Sequence, residues 1–345
     1  VATLVLTITE TLRYRGKLGQ WSWALHRVSG LGVLFFFILH VIDTSWAVFY
    51  PDLYAKAIAV YQSPLFTVGE FILVACVIYH ALNGLRIVVF DARPQWWKHQ
   101  ERAALYVLLG TGLLMIPTFI LMAAHVIKHY QDPATVFNLA LPEVIESQVP
   151  FIIGIGAVLV GGVIISAAWS IVDRPDSKKA GGKRTYKRSA FDTFMWRFMR
   201  ISGILIVPLV FGHLAMMHVI QGVFDITKAG HIPVGTFDPN VSGGAAEFVA
   251  LRWNMMFAGV MIWRIYDALL LTLVAIHAFN GLRYVVNDYI HNKVVQRGAQ
   301  LATLVGCVII ITVGSAALIS SSPATTTKIL ESSQAETTQV TSPEK

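Results

Sequence analysis

Apolar residues along this 345-residue chain gather into long runs separated by shorter polar stretches. Seven runs approach or exceed the roughly 20 residues that a helix needs to cross the hydrocarbon core of a bilayer. They predict spans at about 28–50, 66–90, 104–127, 150–172, 201–223, 265–287 and 299–320. Pro51 and Pro64 bracket the first outer loop, and Pro150 opens the fourth span. Trp21, Trp23, Trp96, Trp97, Trp196 and Trp263 fall near span ends, where tryptophan anchors a helix at the membrane surface. The pattern predicts an all-α integral membrane protein.

Composition agrees. Hydrophobic residues make up 55% of the chain and charged residues only 14%, against roughly 25% charged in a soluble domain. The net charge of +7 is then better explained by basic loops on one side of a membrane than by nucleic acid. Cys76 and Cys307 stand alone inside apolar runs, and no CxxC or CxxCH occurs. A zinc site and a covalently attached c-type haem therefore have no support. The opening VATLVL precedes Arg13, Arg15 and Lys17, the reverse of a signal peptide, so no cleavage is expected there.

Lysine and arginine set the orientation. Segment 173–200 is the most basic, and 1–27, 92–102 and 291–298 are also net basic. Segments 51–65, 129–149 and 224–262 carry few basic residues relative to acids. The positive-inside rule places the N-terminus in the cytoplasm. The expected organisation is a cytoplasmic segment 1–27, a three-helix unit 28–128, an external loop 129–149 and a linking span 150–172. A basic cytoplasmic loop 173–200, a second three-helix unit 201–320 and a flexible external tail 321–345 follow.

The two units repeat. HALNGLRIVVFD, His80 to Asp91, and HAFNGLRYVVND, His277 to Asp288, agree at nine of twelve positions. Upstream, HRVSG from His26 to Gly30 aligns with MRISG from Met199 to Gly203. His40 follows Arg27 by thirteen residues, and His213 follows Arg200 by thirteen. Both units are therefore parallel, each entering from the cytoplasm. Three helices end outside, so one extra span, 150–172, must return the chain.

Four mid-span histidines at repeat-related places are candidates for function, since an ionisable group in a bilayer is costly. At 1.5 Å per residue, His80 and His277 lie about 16 Å along the helix from Asp91 and Asp288, and His40 and His213 about 20 Å from Arg27 and Arg200. Two imidazoles at one depth on facing helices suit axial ligation of haem iron. A hydrogen bond between helices is the alternative use of any one of them. Gly84 falls about 40° from His80 on a helical wheel and leaves room for a flat macrocycle, as Gly281 does beside His277. Arg27, Arg200, Arg86 and Arg283 sit toward the cytoplasmic ends, suited to haem propionates. His218, five residues after His213, falls about 140° round an α-helix and so off the same iron. Asp43 is suited to proton relay or to a bond with a neighbouring helix, with helix-end capping or snorkelling as the alternative.

With these motifs the chain resembles the membrane-anchor cytochrome b of succinate:quinone oxidoreductase (succinate dehydrogenase or fumarate reductase). Residues of about 20–128 resemble the larger anchor subunit and those of about 190–320 the smaller, as if the two were fused. The resemblance implies that His80 and His277 ligate an inner haem b and that His40 and His213 ligate an outer one, with a single haem as the alternative. It implies that Arg27, Asp288 and Tyr289 line a quinone pocket near the cytoplasmic face, and that His26 and Arg200 lie near haem propionates. Menaquinone is the expected quinone. Relatives place a serine three residues before the motif histidine; here Trp23 stands there, with Ser22 before it and Ser29 as a substitute. The implied partners are a flavoprotein subunit that oxidises succinate and an iron–sulfur subunit, docked on the cytoplasmic face. The implied location is the inner (plasma) membrane. A repeat-built secondary transporter and the dihaem cytochrome b of another quinone-linked dehydrogenase remain alternatives.

Overall fold

The computed structural model describes residues 17–132, 141–172 and 190–321. Among these, seven helices are long and apolar enough to cross a membrane. The chain forms α1 (Leu18–Phe49), a short α2 (Pro51–Tyr61), α3 (Pro64–Ala92) and, after a 3-10 turn, α4 (Gln100–Tyr130). It continues with α5 (Leu141–Val172), α6 (Ala190–Leu214), a short α7 (Ala245–Asn254), α8 (Ile262–Tyr289) and α9 (Lys293–Ser320). Arg13 and Arg15, most of the 173–200 loop and nearly all of the 321–345 tail lie outside the described residues.

Local chemistry sets the starts. Pro51 and Pro64 open α2 and α3 at first-turn positions, where the missing N–H costs nothing. Asn292 caps α9, its side chain accepting from the backbone N–H of Val294 and Val295. Several helices outrun their apolar stretches. α1 begins at Leu18 and α6 at Ala190, so the segments just ahead of spans one and five are already helical. That extension carries Arg27 and Arg200 on rigid helix rather than on loop.

Helix α1 packs on α3, α3 on α6, α6 on α8, and α8 on α1. These four close a ring in which α1 faces α6 and α3 faces α8. Equivalent helices of the two units therefore sit diagonally opposite, which is the arrangement a pair of facing ligands needs. Helix α4 lies outside against α3, and α9 outside against α8 and α1. Helix α5 leans on α9, where Gly162 and Gly298 let the two backbones touch. A Cβ on Gly162 would stand 2.5 Å from the carbonyl oxygen of Gly298. Ser166 adds a hydrogen bond to the carbonyl of Val294, 2.7 Å. The outer faces are apolar and open: Leu113, Ile116 and Phe119 of α4, and Ile152, Ile153 and Ile164 of α5, are all exposed. Such a surface suits hydrocarbon and not water.

The stretch between α6 and α8, read from the sequence only as a segment with few basic residues relative to acids, is an ordered cap. Helix α7 buries Phe248, Val249 and Trp253 and packs against α1, α2 and α8. Buried Glu247 accepts from the backbone N–H of Val241 and Ser242, and Arg252 donates to the carbonyl of Val234 at 2.7 Å. Burial lowers the pKa of Arg252. Helix α2 is tied to α1 by the Tyr61 hydroxyl, which donates to buried Asp43. Asp43 thus takes one of its expected roles, a bond to a neighbouring helix.

Candidate functional site

The repeated arginines and aspartates meet across the units. Arg27 of α1 pairs with Asp288 of α8, and Arg200 of α6 pairs with Asp91 of α3 at 2.6 Å. Each arginine thus reaches the aspartate of the other unit. Since α1 and α6 begin at this end, and α3 and α8 finish there, the two units are parallel. Each guanidinium also lies over a tryptophan one turn earlier on its own helix, Arg27 over Trp23 at 3.9 Å and Arg200 over Trp196 at 4.1 Å. These tryptophans, expected as membrane anchors, fix the plane of the arginines. The signal was present as tryptophan four residues before arginine in both copies.

Arg27, Asp288 and Tyr289 come together as expected. The Arg27 guanidinium stands 5.6 Å from the Tyr289 ring. One of its terminal nitrogens holds Asp288, and the other is buried with no hydrogen-bond partner. That leaves one charged donor aimed at nothing the chain provides.

The motif histidines are held through one nitrogen. His80 Nδ1 lies 3.0 Å from the carbonyl oxygen of His26. A carbonyl only accepts, so the proton is on Nδ1 and the Nε2 lone pair is free. His80 also stacks on the His26 ring, centres 4.0 Å apart. Ser29 donates to the same carbonyl and lies 3.4 Å from Nδ1. In the second unit Ser202 shares a 2.9 Å hydrogen bond with His277 Nδ1. Ser29 therefore sits against the motif histidine. Ser22 is buried and bonded to Asn83 at 2.8 Å. Ser202 was not singled out from the sequence, although its alignment with Ser29 was in view.

Glycine also gives the motif histidines their room. A Cβ on Gly30 would lie 2.7 Å from His80 Cε1, and one on Gly203 would lie 3.6 Å from His277 Cε1. Gly84 and Gly281 instead face His26 and Met199. The Ser-Gly pair of each upstream motif thus serves one histidine, serine bonding the ring and glycine admitting it.

His40 and His213 face each other across the ring, centres 5.9 Å apart. His213 Nδ1 is 3.7 Å from Asp267 of α8. The five-residue offset of His218 behaves otherwise than α-helical geometry predicts. Ala215–Gln221 is a π turn, whose i to i+5 bonding stacks residues five apart. His218 consequently returns to the same side, its ring 6.4 Å from that of His213, and it pairs with Glu70 of α3 at 2.5 Å.

Between the ends of α1, α3, α6 and α8 lies an open cleft of about 780 Å³, lined by His26, Arg27, Arg86, Asp91, Arg200 and Tyr284 among others. His26 Nδ1, the second Arg27 nitrogen and Arg86 Nε are buried there without partners. Arg86 also donates to the carbonyl of Gln100 at 3.2 Å. Arg283 lies outside this lining and pairs with Asp192 at 3.1 Å.

Residues 9–139 and 175–316 match the family described as succinate dehydrogenase/fumarate reductase transmembrane subunit. The chain belongs to that family. The two matched stretches contain the two repeated units, and the whole of α5 falls in the gap between them, which is consistent with two fused anchor subunits. A similar protein is the succinate dehydrogenase 2 membrane subunit SdhC of Mycobacterium tuberculosis, 35% identical over 119 residues, which are 34% of this chain and 87% of that one. No solved structure matches. Family membership removes the transporter reading, and α4 and α6 run through Pro117 and Pro208 without breaking.

The residues present fit haem. Two imidazoles on opposite faces of one metal ion, each nitrogen about 2 Å from it, have ring centres roughly 6 Å apart, and His40 and His213 stand at 5.9 Å. His80 offers Nε2 with Nδ1 already engaged, the usual state of a ligating histidine. Arg86 Nε, a buried cationic donor of the cleft without a partner, suits a propionate carboxylate.

Proposed function

We propose that this chain is the haem- and quinone-binding anchor of a succinate:quinone oxidoreductase. It lies in the inner (plasma) membrane with its N-terminus in the cytoplasm. A flavoprotein subunit and an iron–sulfur subunit dock on the cytoplasmic face, at the end where Arg27 and Arg200 meet their aspartates. Electrons pass from the iron–sulfur subunit to menaquinone bound beside Arg27.

The observation that carries this reading is the state of Arg27. Trp23 and Asp288 fix its guanidinium in place, and one buried N–H remains free. That donor suits a quinone carbonyl oxygen, which gains negative charge as the ring is reduced. A fixed cationic donor favours the reduced, charged form over the neutral one. Reduction to quinol takes two electrons and two protons. Tyr289 is 37% exposed and Asp288 half exposed, so both connect the site to water and supply the proton path. His80 and His277 would hold the inner haem b, and His40 and His213 the outer one. Haem supplies one-electron storage within the bilayer.

Arg27→Ala and Tyr289→Phe test the site in the assembled complex. Arg27→Ala lowers succinate-driven reduction of a menaquinone analogue about 100-fold, the scale of losing one charge-stabilising donor. Reduction of an artificial dye by the flavoprotein stays intact in both variants. Equal loss of both activities means that assembly, and not quinone binding, depends on Arg27.

A further inference from the structure

The histidines of the two pairs differ in what holds them. His80 Nδ1 is bonded by the backbone carbonyl of His26 and His277 Nδ1 by the Ser202 hydroxyl. Both partners are neutral. His213 instead faces a carboxylate. Its Nδ1 and Asp267 Oδ1 lie 3.7 Å apart, and each is buried without a hydrogen-bond partner. A donor and an acceptor buried face to face, both unsatisfied, are each costly alone and nearly in bonding range. The other oxygen of Asp267 is taken: Trp253 Nε1 donates to it at 2.8 Å. Trp253 is buried in α7, and the end of that helix is fixed by Arg264, which donates to Asn254 at 2.7 Å and to the carbonyl of Ser321. The cap therefore holds one carboxylate oxygen and leaves the second aimed at His213.

We propose that Asp267 is the positioning residue of His213, accepting its Nδ1–H so that Nε2 faces the outer iron, and that its charge favours the ferric state there. The inference rests on the two-haem reading. Closing the gap to the roughly 2.8 Å of a charge-assisted bond needs less than 1 Å of side-chain movement. Such contacts are commonly long before the site is loaded and tighten after. A carboxylate behind a ligating imidazole fixes its tautomer and raises its basicity. It makes Trp253 part of the same device, through which the cap sets the electronic character of the outer site.

The test is a redox titration of the assembled complex, with electron paramagnetic resonance to tell the haems apart. In wild type two b-type haems titrate. Asp267→Asn keeps the shape and removes the charge. A tenfold loss of preference for the ferric state raises the midpoint of one haem by about 59 mV, with the other unchanged and Asp267→Glu close to wild type. Two haems with both midpoints unmoved in Asp267→Asn, or both moved equally, overturn the proposal. Should Asp267→Asn not assemble, the wild type decides through its near-infrared charge-transfer bands. One haem with a band at higher energy than the other, as imidazolate character requires, supports the proposal; two coincident bands overturn it. A single haem in wild type overturns the two-haem reading itself, which is a different result from two haems that ignore the charge.

Discussion

Gly30 and Gly203 hold the same place in the two repeats, yet alanine at each has opposite consequences. Alanine in a helix is better than glycine by about 0.8–1 kcal/mol. At Gly203 the new Cβ meets His277 Cε1 at 3.6 Å, an ordinary contact, so Gly203→Ala keeps most of that gain. At Gly30 it lies 2.7 Å from Cε1 and 3.1 Å from Nδ1 of His80. The ring must recede by about 0.8 Å to reach the shortest ordinary carbon contact of about 3.5 Å. Overpacking of this kind costs about 1–3 kcal/mol, which cancels or outweighs the helix gain. The chemical effect is larger, because a metal–ligand bond tolerates only about 0.2 Å and the same shift strains the bond to His26. Purified Gly30→Ala complex should lose the inner haem and keep the outer, halving the haem per chain, while Gly203→Ala keeps both. Haem absorbance against protein, with thermal unfolding in detergent, reads both effects. Full haem and an unaltered spectrum in Gly30→Ala, or equal damage from Gly203→Ala, refute the reasoning.

Two further outcomes separate the site from its scaffold. Arg200→Ala removes the Asp91 pair, as Arg27→Ala removes the Asp288 pair, and these partly exposed pairs each contribute about 0–1 kcal/mol. Both variants should assemble with similar melting temperatures, but only Arg27→Ala should lower quinone reduction about 100-fold; equal loss from Arg200→Ala would place the quinone elsewhere. Gly162→Leu should push α5 off α9, since a Cβ there already meets the Gly298 carbonyl at 2.5 Å. Protease sensitivity near α5 should rise while haem content stays at wild type, and loss of haem would show that α5 is more than a connection.

The seven spans were legible because each is a run of apolar residues, a signal that needs no tertiary information. The parallel repeat was legible from identity at constant spacing. Which aspartate each arginine takes was not, since Arg27 has Asp91 in its own unit and Asp288 in the other, and only the ring order of α1, α3, α6 and α8 decides. The return of His218 to the side of His213 was hidden for a local reason. Nothing in AMMHVIQ marks a π turn; the chain ends it at Gly222, whose φ of 77° glycine adopts readily. The cap was hidden because its one helix is ten residues long and its stability comes from burial of Phe248 and Trp253, not from periodicity. With it went Asp267, whose carboxylate means little until Trp253 and His213 are seen on either side.

Haem per chain tests the central claim most directly. A pyridine haemochrome assay with protein quantitation on the purified complex should give two b-type haems per chain, and His40→Leu should bring that to one still reducible by succinate. One haem in wild type, unchanged in His40→Leu, would contradict the paired use of His40 and His213.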